Sequence, residues 1–113
     1  MQHKEQIITI NSRFCGPPNS GNGGYVCGLL ANALGMPCQV TLHAPPPLDT
    51  PLQLVVKADG AQLKLGEQLL ASAKPYNLEL KLPDAVSANT AKKAQQGFIG
   101  FEQHNLPCCL VCG

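Results

Sequence analysis

The feature that most constrains this chain is a run from about Gly24 to Leu34, where Tyr25, Val26, Cys27, Leu29, Leu30, Ala31, Ala33 and Leu34 cover nearly every side of a helix. A helix apolar all round is a buried helix, so something must be built over it. The loop before it, Asn19-Ser20-Gly21-Asn22-Gly23-Gly24, offers glycines for unusual backbone angles and Asn22 as an N-cap, while Gly35 and Pro37 supply the stop. With 113 residues there is room for one domain, spanning 1–113, and one core.

The material for the cover reads as strands. Ile7-Ile8-Thr9-Ile10 is β-branched and runs into the turn-forming Cys15-Gly16-Pro17-Pro18. From Cys38 to Pro83 the period is two: Val40, Leu42 and Ala44 alternate with Thr41 and His43 until Pro45-Pro46-Pro47 halts pairing. Leu52, Leu54, Val56 and Ala58 lead into a hairpin turn at Asp59-Gly60, with Leu63 and Leu65 returning on the partner strand. Leu69 to Ala73 follows, then Leu78, Leu80 and Leu82 alternate with Glu79 and Lys81 as a further strand of a half-solvated sheet. Residues 84–113 read as a short exposed helix, capped by Ser87 or Asn89 and broken at Gly97, and a cysteine-containing tail. One buried helix followed by a long antiparallel sheet is an α+β layout in which the sheet curves around the helix.

Composition excludes several functions. Hydrophobic residues at 44% and charged residues at 13% are those of a folding chain, and eight Lys+Arg against seven Asp+Glu lack the basic excess that nucleic acid binding demands. The apolar stretches fall far short of the roughly 20 residues that span a bilayer, and Met1-Gln2-His3-Lys4-Glu5 carries no signal-peptide segment, so a cytoplasmic chain without a membrane partner is expected. In that compartment the six cysteines are expected to be mostly reduced, with Cys15, Cys27 and Cys38 as small core residues. A nucleotide loop is excluded because no Lys-Ser/Thr follows the glycines.

The segments Asn22-Gly23-Gly24-Tyr25-Val26-Cys27-Gly28-Leu29-Leu30-Ala31, Val40 to Pro47 and Ala58-Asp59-Gly60 resemble the hotdog-fold thioesterase-like superfamily over about Ile8 to Pro83. Arg13 to Gly24 together with His104 to Gly113 resembles an uncharacterised subgroup of longer proteins, in which the cysteine-glycine end leads into a second sheet-forming half. The resemblance implies an acyl thioester ligand, carried on coenzyme A or an acyl carrier protein, bound between two hotdog units. It also implies a homodimer or higher homo-oligomer and no cofactor. Amides of Gly23, Gly24 and Tyr25 at the helix N-terminus suit an oxyanion, with Asn22 and Gly24 as catalytic candidates and Arg13, Asn19, Ser20, Gly23 and Tyr25 as substrate contacts. The helix carries no carboxylate to activate water; Asp49 and Glu67 are the nearest alternatives, reaching in from a partner subunit.

Each candidate also has a plainer structural role. The glycine pair serves close packing, Asn19, Ser20 and Asn22 serve turns and caps, His43 points outward from a strand, and Arg13 suits a surface ion pair. In the tail, His104, Cys108, Cys109 and Cys112 have the spacing for zinc, for a disulfide or redox pair, or for simple packing. Three readings therefore stand at this point: an acyl-CoA thioesterase, a non-catalytic acyl-binding module, and a small zinc-dependent interaction protein.

Overall fold

The computed structural model describes residues 3–99, 102–103 and 105–112. Strand β1 (Lys4–Thr9) is followed by a 3-10 turn at Ser12–Phe14, helix α1 (Gly23–Leu34), strands β2 (Cys38–Leu42), β3 (Pro51–Lys57), β4 (Gly60–Leu65) and β5 (Gln68–Pro75), and helix α2 (Ala88–Gln95). The five strands form one antiparallel sheet in the order β1-β3-β4-β5-β2, so the architecture is α+β, as the pattern implied. β1 and β2 are adjacent in sequence yet occupy opposite edges. The chain between them must cross the whole sheet, and α1 is that crossing, packed against β2, β3, β4 and β5.

Local chemistry sets the ends of α1. Asn22 caps it with its side-chain oxygen on the Tyr25 amide, and Gly35 closes it in the left-handed conformation, its amide returned to the Ala31 carbonyl. Val26, Leu30 and Leu34 form the inward stripe, meeting Ile10, Leu52, Leu54, Leu63 and Leu70 in one core. Ala61, Ala71 and Ala73 supply small side chains to the same core, which leaves room for the helix to approach the sheet. Each fully buried leucine contributes about 1.5–3 kcal/mol relative to exposure.

Four expectations change. Burial of α1 is one-sided within the chain: Gly24, Gly28 and Asn32 lie on its exposed face, because a single sheet covers a single side. The hairpin turn falls on Ala58-Asp59 rather than Asp59-Gly60, since Gly60 already pairs with Lys57. Consecutive Leu70 and Ala71 are both buried, which strict alternation forbids. The register between β4 and β5 shifts at Leu63/Lys64, with Ala71 opposite Leu63 and Leu69 opposite Lys64, leaving Leu70 as the extra residue of a bulge. Finally, Leu78, Leu80 and Leu82 belong to no strand and are 64%, 68% and 78% exposed. Alternation reports an extended backbone, but pairing needs a free edge. β5 is already flanked by β4 and β2, and the chain beyond Pro75 runs off the end of the sheet. The short helix is found where expected, capped by Ser87 and wholly exposed.

Gly60 is a glycine by necessity of space, because a Cβ there would stand 2.5 Å from the Ala73 carbonyl oxygen of the neighbouring strand. Gly60→Ala should therefore lower unfolding stability by about 1–3 kcal/mol in urea titrations. Gly28→Ala, whose methyl meets nothing within 4 Å beyond its own turn of helix backbone among the described residues, should instead raise it by up to about 1 kcal/mol.

Candidate functional site

The loop from Asn11 to Asn22 is held by its own backbone. Asn11 accepts the amide of Arg13 on its side chain and that of Phe14 on its carbonyl; Gly16 donates to Ser20, Ser20 to Pro17, and Asn22 to Phe14. Asn19 sits at φ 62°, in the left-handed region where asparagine is well tolerated. The loop then leans on the proline segment: the Gly21 amide donates to the Pro46 carbonyl at 2.9 Å, and Ser20 bridges to Pro47. A Cβ on Gly21 would crowd Ile10, Pro46 and Val26 at 3.2–3.3 Å, so only glycine brings these three surfaces together without displacement.

Between loop, helix and proline segment lies a cavity of about 340 Å³, walled by Pro17, Gly21, Val26, Leu42, Ala44 and Pro46, with Ser20, Gly23 and His43 also in its lining. The lining is mainly apolar, and it includes the first residue of α1. Among the described residues no acceptor takes the amide of Gly23 or Gly24, whereas the Tyr25 amide is held by Asn22 Oδ1 at 3.0 Å. Free amides at a helix start favour a carbonyl or oxyanion.

The structure thus brings Ser20 and Gly23 to the cavity and places the other candidates around it. Gly24 is on the exposed side of the first turn. Tyr25 stacks on Phe14 with ring centroids 4.2 Å apart and planes 7° off parallel, and Arg13 lies with Cζ 5.4 Å from the centre of the Phe14 ring. The guanidinium thus lies against the outer ring of the stack. Asp49, at φ 51°, accepts the Ser12 amide and donates its own amide to Ile10, while Glu67 is exposed in the β4–β5 turn; neither lines the cavity. His43 is the residue whose place the sequence conceals. Its strand alternation points outward, yet it contributes to the lining while its Nε2 lies 2.8 Å from Ser72 Oγ on β5.

The cysteine tail is docked on the same loop. Cys15 Sγ donates to the Cys108 carbonyl, and the Leu110 amide donates to the Cys15 carbonyl, both at 2.7 Å. Cys109 is 6% exposed, and its sulfur receives Asn22 Nδ2 at 3.5 Å and lies 3.3 Å from Cys112 Sγ. The amides of Cys112 and Val111 hold the Cys109 thiol down at about 7; hydrogen bonding to Cys109 pushes Cys112 up. No disulfide joins the six cysteines, and among the described residues no group of three or more His, Cys, Asp or Glu is arranged for a metal. His104 lies outside the described residues. In the same way, no helix among the described residues is long and apolar enough to cross a membrane.

With this geometry in view, comparison with solved structures finds a thioesterase superfamily protein of known crystal structure at TM-score 0.57 and 22% identity. The match covers 64% of this chain and 46% of that one, so this chain spans about half the length of the solved protein. It establishes the hotdog arrangement, a five-stranded antiparallel sheet packed against a helix. No family model and no curated protein matches the sequence.

Asn22 uses both ends of its carboxamide, one on the helix and one on the tail. Asn22→Ala should cost about 0.5–2 kcal/mol of unfolding stability, the range of a lost N-cap, whereas Asn22→Asp should keep the cap and lose only the bond to sulfur. Urea denaturation of the two variants measures the difference.

Proposed function

We propose that the chain binds an acyl thioester, with the acyl group in the apolar cavity and the thioester carbonyl at the first turn of α1. The observation that carries this reading is that a mainly apolar cavity reaches Gly23, at a helix start whose Gly23 and Gly24 amides have no acceptor among the described residues. At about 340 Å³ the cavity is at the small end of the range for ligand pockets, roughly 300–1,000 Å³, which favours a short acyl group.

The geometry supports binding more than hydrolysis. Polarising the carbonyl needs donors, which are present; activating water needs a base, and among the described residues the lining holds no carboxylate. Among the described residues His43 is the one titratable residue in the lining, and its ring is turned to Ser72. Asn22 is spent on the cap and the tail. Turnover is accordingly slow, and the non-catalytic acyl-binding module becomes the favoured form of the reading. Pairing of two chains belongs to the same proposal. It is supported by the exposed face of α1 at Gly24, Gly28 and Asn32 and by Leu42, half exposed on the edge strand β2 beside the cavity.

Titration with non-hydrolysable thioether analogues of acyl-CoA, from acetyl to decanoyl, tests the binding. Saturable binding that is tightest for short chains is expected. Leu42→Trp fills the cavity from a half-exposed position and should weaken binding at least tenfold, about 1.4 kcal/mol, with the melting temperature little changed. Gly24→Ala, whose methyl meets only Asn22 Oδ1 at 3.4 Å, should leave affinity within about twofold. Thiol release from the corresponding thioesters should stay slow at saturation; fast release that survives His43→Ala would refute the account of the missing base. Light scattering at micromolar concentration should give a dimer, and a stable monomer there would count against the pairing.

A further inference from the structure

Outside the cavity, the most chemically unusual cluster is the C-terminal turn. Two thiols, Cys109 and Cys112, stand 3.3 Å apart, one buried and one exposed. A disulfide needs a sulfur separation of about 2.05 Å, so closing the bond requires a movement of little more than 1 Å between residues three apart in the chain. The buried sulfur is surrounded by donors: Asn22 Nδ2 at 3.5 Å and the amides of Val111 and Cys112. Such a ring of donors stabilises a thiolate, the species that attacks disulfides. The turn is also fixed in place, with Cys15 bonded to Cys108 through its thiol and to Leu110 through its carbonyl.

We infer that Cys109 and Cys112 form a dithiol–disulfide site that exchanges with a low-molecular-weight disulfide. This does not rest on the acyl-thioester reading. The division of labour follows from exposure. Exposed Cys112, whose upward-shifted thiol leaves a smaller fraction of a more nucleophilic thiolate, attacks one sulfur of the small disulfide; a mixed disulfide forms on Cys112, and the other half leaves as a thiolate that takes up the proton Cys112 gave up. Cys109, ionised within its donors, then attacks Cys112 Sγ, the mixed bond breaks, and the second half leaves as a thiolate that takes up the proton Cys109 gave up. In sum, the protein dithiol is oxidised by two electrons, and one small disulfide is reduced to two thiols. The donor set assists the second step because it holds the buried sulfur in its nucleophilic form and aimed at its neighbour.

The site is connected to the central helix. Asn22 donates to Cys109 Sγ with the same carboxamide that caps α1 through Tyr25. Oxidation replaces a thiolate acceptor with a neutral disulfide sulfur, so the Asn22 side chain senses the change at the first turn of α1.

Oxidised and reduced glutathione are the probes for the test, applied to the full chain across a range of ratios. After trapping with an alkylating reagent, peptide mass spectrometry should find a Cys109–Cys112 disulfide that forms and disappears reversibly, with Cys27 and Cys38 still reduced. Cys108→Ser should leave that bond intact. Cys109→Ser should accumulate a glutathione adduct on Cys112, because the resolving sulfur is gone. Cys112→Ser should form at least tenfold less adduct, because the remaining sulfur is buried. The side-chain amide resonances of Asn22 should shift on oxidation in the unsubstituted chain and not in Cys109→Ser. A Cys108–Cys112 bond, indiscriminate glutathione addition across the six cysteines, or one zinc per chain lost in the Cys109→Ser and Cys112→Ser variants would each overturn the inference.

Discussion

Burial of the stripe Val26, Leu30 and Leu34 is the interaction on which the rest of the structure depends. The stripe lies on the connection between two edge strands, so one packing event decides both where the helix sits and which strands become edges. Without it, β1 and β2 have no reason to lie on opposite sides of β3, β4 and β5. The alanines at the sheet centre belong to the same solution, since larger residues at Ala61, Ala71 and Ala73 would lift the helix from the sheet. The cavity is a by-product of this geometry. It opens where α1 begins and where the proline segment after β2 turns back towards the loop.

Periodic features were legible in the sequence. The helix, its Asn22 cap and its Gly35 stop depend on interactions among neighbours, and so does the hairpin near Asp59. The leucines after Pro75 show the limit of that logic: Leu78, Leu80 and Leu82 keep the rhythm of a strand, but rhythm carries no information about whether a neighbouring strand is available. One-sided burial of α1 was hidden for a related reason, because an apolar surface reads the same whether its own sheet or something beyond it provides the cover. The bulge at Leu70 depends on register between β4 and β5, which no local pattern encodes.

The site was less legible than the fold, for reasons of distance along the chain. Ser20 and Gly23 were within reach because loop and helix are contiguous. His43, Pro46 and Leu42 meet them only after the chain has crossed the sheet, and nothing in the run Val40 to Pro47 points to the loop as its neighbour. The engagement of Asn22 with Cys109 spans a still longer separation. That contact changes the meaning of Asn22: a residue expected to cap or to position water is instead a joint between the helix start and the tail.

The carbonyl of Leu70 accepts the amides of both His43 and Ala44, at 2.8 and 3.1 Å. The start of the proline segment after β2 is therefore fixed by a single oxygen on an interior strand, at the residue that the register shift makes surplus, while Pro46 and Pro47 are tied to the loop. Held at both ends in this way, the outer wall of the cavity takes its position from the sheet as well as from the loop it faces. Ligand affinity should respond to substitutions on β4 and β5 that disturb the bulge, even at residues remote from any bound molecule. The width of the opening is thus an inherited property of strand pairing, adjustable without altering a single lining side chain.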